Sequence, residues 1–237
     1  MENLLNYIQL IKKENKKLHR TSFWGLLKYY TRWKDSFINK DSISEIPWMN
    51  FGAIDFLKEC VRADMQIFEY GSGSSTLFWA NHAKEVISIE HDTEWAKKVQ
   101  KQLDNKGLSN VRLFLIEPKK NEVVGKKDIA DPYQYSTDDE MWGAFSFKEY
   151  VLRINEYPDN YFDFVVVDGR ARPSCIAAST NKIKLGGYMV VDNSERAYYF
   201  SKNEQSLPLT HWIRTDFCGP VPGLNHFHQT SFFKRIK

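Results

Sequence analysis

The sequence predicts one α/β domain on a doubly wound, mainly parallel sheet, and three observations carry that prediction. From residue 48 onward, short apolar runs alternate with segments of helical periodicity; Phe162–Val167 and Tyr188–Val191 are apolar almost throughout, as strands buried on both faces are; and two β-rich runs flank a Gly/Pro turn near the end. Such a strand–helix–strand succession places parallel strands side by side through right-handed crossovers. With 237 residues, 42% hydrophobic and 27% charged, the chain suits a globular core and lacks the composition of a disordered one.

Leu4, Leu5, Ile8 and Ile11 recur at helical spacing, and a second helical stretch runs from Phe23 to Trp33. Both fall in a helical extension over residues 1–47, ahead of a domain over residues 48–237. There, Ile54, Leu57 and Val61 mark a helix face, Gln66–Tyr70 is a strand, and the turn Gly71-Ser72-Gly73-Ser74-Ser75-Thr76 leads into a helix. Val86–Glu90 is the next strand; Trp95, Val99 and Leu103 give a helix capped by Asp92 or Thr93 and ended by Gly107. Val111–Ile116 is a third strand. The polar insertion from Glu117 to Asn160 holds Tyr133, Tyr135, Trp142 and a helix over Phe145–Asn155, and reads as a lid or a surface excursion. Phe162–Val167 and Tyr188–Val191 follow, the latter introduced by a Gly186-Gly187 turn. His211–Phe217 and His226–Lys234, joined across Gly219–Gly223, form an antiparallel hairpin at the sheet edge.

A net charge of +3 does not point to nucleic acid, whose binding needs a dense basic face. The distribution is uneven: nine Lys or Arg (Lys12, Lys13, Lys16, Lys17, Arg20, Lys28, Arg32, Lys34, Lys40) stand against three acids in the first forty residues. The extension is expected to pack over the domain, with a homo-oligomer contact, a substrate lid or membrane-surface contact as its other uses. Cys60, Cys175 and Cys218 show neither a disulfide framework nor zinc spacing, which suits a reducing compartment. No run approaches the ~20 apolar residues of a membrane span, so the expected location is the cytoplasm.

Ligands of doubly wound sheets bind beyond the carboxyl ends of the strands, so the residues there carry the chemistry. After the first strand, glycines let the backbone approach a ligand and a helix start offers free N–H groups. After the second comes Glu90, seventeen residues beyond Gly73, an acid placed to accept from ribose hydroxyls. Together they imply a nucleoside-bearing cofactor. A nicotinamide site would want glycine at position 76 and an apolar residue at 69; the chain has Thr76 and Glu69.

On Glu69-Tyr70-Gly71-Ser72-Gly73 and Glu90 the sequence resembles the class I S-adenosylmethionine-dependent methyltransferases, from about Trp48 to the end. The resemblance implies a Rossmann-like sheet of seven strands, the last antiparallel. It implies that S-adenosylmethionine is held by Glu69 at its ammonium group, by Gly71, Ser72, Gly73, Ser74 and Ser75 at its methionine part, and by Glu90 at its ribose. The later strand ends carry Asp168 and Asp192-Asn193, similar to the magnesium-dependent catechol-type O-methyltransferases, where such residues hold Mg2+ and the metal activates an acceptor hydroxyl. Where those enzymes have a lysine base this chain has Ala171, flanked by Arg170 and Arg172. Asp168 and Arg170 are the expected catalytic residues, and the two arginines suit a carboxylate, phosphate or acidic sugar. His226 and His228 share a strand face, and His211 is a base by residue type alone. The expected activity is O-methylation of a small molecule or saccharide. The other readings are a cofactor-binding protein without turnover and an RNA or protein methyltransferase guided by its basic arm.

Overall fold

The computed structural model describes residues 3–18, 21–38, 43–120, 127–203, 207–208 and 210–237. Its strands are β1 (Gln66–Tyr70), β2 (Glu85–Glu90), β3 (Val111–Leu115), β4 (Lys119–Lys120), β5 (Phe145–Ser146), β6 (Phe162–Val167), β7 (Ile183–Asp192), β8 (Trp212–Pro220) and β9 (Phe227–Arg235). Seven of them form one sheet in the order β3-β2-β1-β6-β7-β9-β8, and β4 pairs with β5 alone. β1, β2, β3, β6 and β7 run parallel, while β9 is antiparallel to β7 and to β8. This is the expected Rossmann-like sheet with its terminal hairpin.

Side-chain alternation divides the core into two layers. Ile67, Val86, Phe164, Val166, Val190 and Phe232 face one cluster, and Phe68, Tyr70, Ile87, Val165, Val167 and Val191 face the other. Helices α4 (Phe51–Cys60) and α5 (Ser74–His82) cover the first face, α7 (Lys148–Leu152) and α8 (Arg172–Ser179) the second, and α6 (Thr93–Asn105) packs beside α5. Asp92 caps α6 by accepting from Trp95 N at 2.8 Å, one of the two caps expected.

Helix α1 (Leu4–Leu18) forms where its periodicity places it, but turned from the expected face. Tyr7, Leu10 and Ile11 are buried, whereas Leu4 and Leu5 stay 44% and 70% exposed. The aromatic side chain decides the orientation: Tyr7 packs on Trp33 at 4.8 Å between ring centres and donates its hydroxyl to Leu26 O at 2.6 Å. The stretch from Phe23 to Trp33 is two helices, α2 (Phe23–Leu27) and α3 (Tyr30–Ser36), bent apart at Lys28 and Tyr29. Their buried residues join α4 in one apolar cluster. The side chains of Lys16, Lys17, Arg20 and Lys40 lie outside the described residues.

Other boundaries differ as well: β8 runs on to Pro220, through the start of the expected Gly219–Gly223 turn. The helix expected over Phe145–Asn155 is confined to α7 and a 3-10 turn over Arg153–Glu156, because Phe145 and Ser146 pair with Lys120 and Lys119 and the Phe147 N–H donates to Tyr135 O. β7 starts at Ile183, ahead of the expected Tyr188, and Gly186 and Gly187 lie in an irregularity between the Phe162–Ile183 and Phe164–Tyr188 pairs. Gly186 sits there at φ +83°.

Candidate active site

Glu69 and Ser88 are register partners on β1 and β2, beneath the first turn of α5. The Glu69 carboxyl is fully buried; its Oε2 accepts from Thr76 Oγ1 at 2.5 Å and Ser88 Oγ at 2.7 Å, while Oε1 has no partner among the described residues. Burial lifts its pKa to about 7 against the pull of the Ser75, Thr76 and Ser88 hydroxyls. Glu90, one strand over, behaves oppositely. Burial pushes its pKa up, but His91 and the backbone N–H of Asp92 outweigh that and hold it below the ordinary value. Its Oε1 accepts from the N–H groups of His91 (2.7 Å) and Asp92 (2.9 Å), and its Oε2 from Ser72 N (3.1 Å) and Ser72 Oγ (2.9 Å).

The turn between the two acids is shaped by packing as well as by openness. Gly71 has φ +91°, and a Cβ there would lie 2.8 Å from Gly169 N and Cα, so glycine lets the β1 and β6 turns meet backbone to backbone. Gly73 is extended, and a Cβ there would meet only the Trp95 ring, at 3.8 Å. Its N–H donates to Thr76 Oγ1 at 2.9 Å, Trp95 Nε1 donates to Ser72 O at 2.7 Å, and Ser74 Oγ accepts from Ser44 N at 3.1 Å. Ser74 and Ser75 are buried. From the insertion, Trp142 sets its ring edge-on to His91 at 5.3 Å.

Asp168, Asp192 and Asn193 come together as expected of neighbouring strand ends, but around a cation that belongs to the chain. Ala171, in the left-handed region at φ +48°, turns the backbone into α8, and the guanidinium of its first residue, Arg172, folds back under the strand ends. Arg172 donates from Nη2 to Asp168 Oδ1 and Asp168 O, both at 3.0 Å, from Nε to Gly169 O at 3.0 Å, and from Nη1 to Asn193 Oδ1 at 3.0 Å and to Asp192 O. Asp192 Oδ1 accepts from Thr230 Oγ1 at 2.6 Å. These residues do not fit Mg2+: a small ion demands a regular oxygen shell of its own, and two of the three side chains are bonded to a guanidinium. Among the described residues no cluster of three or more His, Cys, Asp or Glu is placed to hold a metal ion.

Burial, then the charge of Asp192, lift Asp168 well above the ordinary carboxylate range against the pull of Arg172. Burial likewise lifts Asp192 to about 6, against Arg172 and the Thr230 hydroxyl. Since Asn193 Oδ1 accepts from Arg172, its Nδ2 is the donor to His228 Nδ1 at 2.8 Å, and that nitrogen of His228 is therefore the unprotonated one. Burial, with the charges of His226, Arg172 and Arg196, pushes His228 down to about 4. The His226 ring lies beside it, tilted by 50° with 4.5 Å between ring centres. His211 precedes Trp212, which pairs with Arg235 at the end of the hairpin away from Asp192, so it stands apart from the site.

The insertion closes over these strand ends. Asp139 pairs with Arg170 at 2.9 Å, Asp138 with Arg196 at 3.0 Å, and Asp128 with Lys202 at 2.5 Å. Ser136, Thr137, Asp138, Arg170, Arg172 and Arg196 help to line a cavity of about 110 Å3. The sequence reading missed Ser136, Asp138, Asp139 and Arg196. A signal was present in the adjacent acids Asp138 and Asp139, within a segment that read equally as a lid or a surface excursion.

No protein-family model matches the chain, and no curated protein matches it. Among solved structures, a methyltransferase-like protein from Silicibacter pomeroyi is 20% identical with a TM-score of 0.53, over 83% of this chain and 91% of that one. An rRNA methylase from Streptococcus thermophilus is 12% identical at TM-score 0.52, over 78% and 95%. A candidate methyltransferase from Streptococcus mutans in complex with SAH is 13% identical at TM-score 0.52, over 77% and 95%. The fold is shared with methyltransferases. At such identities the likeness is one of architecture, and the chemistry must be argued from the residues at the strand ends.

Proposed function

We propose that the chain is an S-adenosylmethionine-dependent methyltransferase acting on a hydroxyl of a small molecule or saccharide. The observation that carries this reading is the pair of buried carboxyls flanking the turn over residues 71–75: Glu69 with an unpartnered oxygen and Glu90 held ionised. An unsatisfied buried acceptor costs roughly 1–3 kcal/mol, and the ammonium group of the cofactor is a donor that relieves it. Glu90 receives the ribose hydroxyls in place of Ser72 Oγ, and Gly71, Ser72, Gly73, Ser74 and Ser75 bracket the methionine part. The SAH complex within the same fold supports the assignment.

S-adenosylmethionine supplies a methyl group on a positively charged sulfur; transfer to oxygen leaves S-adenosylhomocysteine, a methyl ether and a proton. Asp168 is the acceptor of that proton: it stands at the end of β6 beside the glycine turn, its N–H donating to Tyr70 O, and its bond to Arg172 fixes its direction. Arg170 orients the acceptor from the same turn. Because Arg172 supplies the positive charge among Asp168, Asp192 and Asn193, no step runs through magnesium.

Calorimetric titration of S-adenosylhomocysteine into the full chain tests the reading, alongside transfer of a labelled methyl group to a panel of hydroxyl compounds. Binding is expected, unchanged by EDTA, and weakened at least about tenfold by Glu90→Ala; no binding to the unaltered chain overturns it. Binding without transfer to any acceptor favours a cofactor-binding protein. A second reading, methylation of RNA, draws on the exposed Lys12 and Lys13 of α1 and on the rRNA methylase of the same fold. Transfer to RNA that falls steeply with salt supports it.

A further inference from the structure

The arginines at the end of β6 and beyond β7 are more than the cap needs. Arg170 meets Asp139 through Nη2, and Arg196 meets Asp138 and Tyr199 Oη through Nη1 and shares the Tyr198 hydroxyl with Asp138, although a guanidinium carries five N–H donors. Both pairs are partly exposed, with side-chain exposures of 37% and 28% for Arg170 and Asp139 and of 44% and 38% for Arg196 and Asp138. Pairs of this kind are weak and exchange readily with another anion. Two buried polar atoms of the lining, Ser136 Oγ and Arg170 Nε, have no hydrogen-bond partner among the described residues. The cavity that these residues help to line, about 110 Å3, has room for several waters. That volume suits a carboxylate or a phosphate group, with the rest of an acceptor lying outside it.

We propose that the cavity between Arg170, Arg172 and Arg196 is the subsite for a carboxylate or phosphate group of the acceptor, with Asp138 and Asp139 holding its place until the acceptor arrives. The proposal rests on the methyl-transfer reading and narrows it to anionic acceptors. The cap then has a defined role: an acceptor anion takes the arginines from Asp138 and Asp139.

Glucuronate, glucose 1-phosphate and glucose, titrated separately at fixed ionic strength into the full chain with and without S-adenosylhomocysteine, test this. One or both anionic sugars are expected to bind saturably, and glucose at least about tenfold more weakly. Which of the two binds separates a carboxylate from a phosphate acceptor. Arg170→Ala with Arg196→Ala is expected to weaken the anion about tenfold or more while S-adenosylhomocysteine affinity stays within about twofold. Asp138→Asn with Asp139→Asn is expected to act the other way and tighten anion binding, which a purely structural latch would not do. Glucose binding as well as its charged counterparts, no anion binding, or weaker anion binding in the Asn pair overturns the proposal. S-adenosylhomocysteine binding without anion binding removes the subsite alone; anion binding without S-adenosylhomocysteine removes the methyl-transfer reading alone.

Discussion

Glu69 sits at the point of greatest electrostatic tension on β1: fully buried, one oxygen satisfied twice and the other not at all. Its pKa of about 7, against 4.5 for an exposed glutamate, makes stability depend on pH in a definite direction. Below about pH 4.5 both folded and unfolded chains keep the proton; as pH rises toward 7 the unfolded chain releases it and the folded chain does not, so stability falls. Glu69→Gln removes that slope. Urea unfolding from pH 5 to pH 8 is expected to show the variant gaining on the parent by about 2–3 kcal/mol, and saturating S-adenosylhomocysteine to shrink the difference. A gain that stays constant across this range would mean that Glu69 is ionised throughout.

Gly169 is held by a different constraint, since a Cβ there would lie 2.0 Å from Tyr150 Oη. Gly169→Ala should cost roughly 2 kcal/mol through overpacking, and Tyr150→Phe in the same chain should recover part of it by removing the clashing oxygen, the backbone contacts to Gly71 N at 3.0 Å and Tyr70 C at 3.1 Å remaining. Additive losses in denaturant midpoints would contradict that account. The acids and the glycine turn were legible because they fall at strand ends. Arg172 was legible only as a clamp for an external anion, because the left-handed Ala171 that turns it inward leaves no mark in residue spacing. The oxygens of Asp168 and Asn193 therefore read as metal ligands although an internal guanidinium engages them.

At the scale of elements, legibility follows what drives each segment. β1 and β6 begin and end where the apolar runs predict, since strands buried on both faces announce themselves in composition. Elements fixed by distant partners did not. α7 yields its expected first residues to the β4–β5 pair, and α1 is oriented by an aromatic contact with α3 that sits 26 residues away in sequence, from Tyr7 to Trp33. The insertion, which read equally as lid or surface excursion, contributes both: Phe147, Tyr150 and Val151 enter the core of the second layer, while Asp138 and Asp139 reach the strand-end arginines. Its buried end fixes the polar end over the site.

At the scale of the whole molecule, Thr21 and helix α3 are fastened to the terminal hairpin. Thr21 Oγ1 donates to Cys218 O at 3.0 Å, Trp33 Nε1 to Leu224 O at 2.8 Å, and the Gly223 N–H to Ser36 Oγ at 2.8 Å. Trp33 also shares a cluster with Phe51, Ile67 and Phe232, so the helices and the sheet draw on one core. We infer that helices α1, α2 and α3 unfold together with the rest. Trp33→Ala should cost about 4 kcal/mol, from the cavity and the lost hydrogen bond, and at roughly 2–4 °C per kcal/mol for a chain of this size the melting temperature should fall by about 10 °C. The loss is expected in a single calorimetric transition, because weakening one side of a shared core lowers the stability of both. A separate low-temperature transition, with the main one unmoved, would show instead that the helices form an independent unit laid over a self-sufficient sheet.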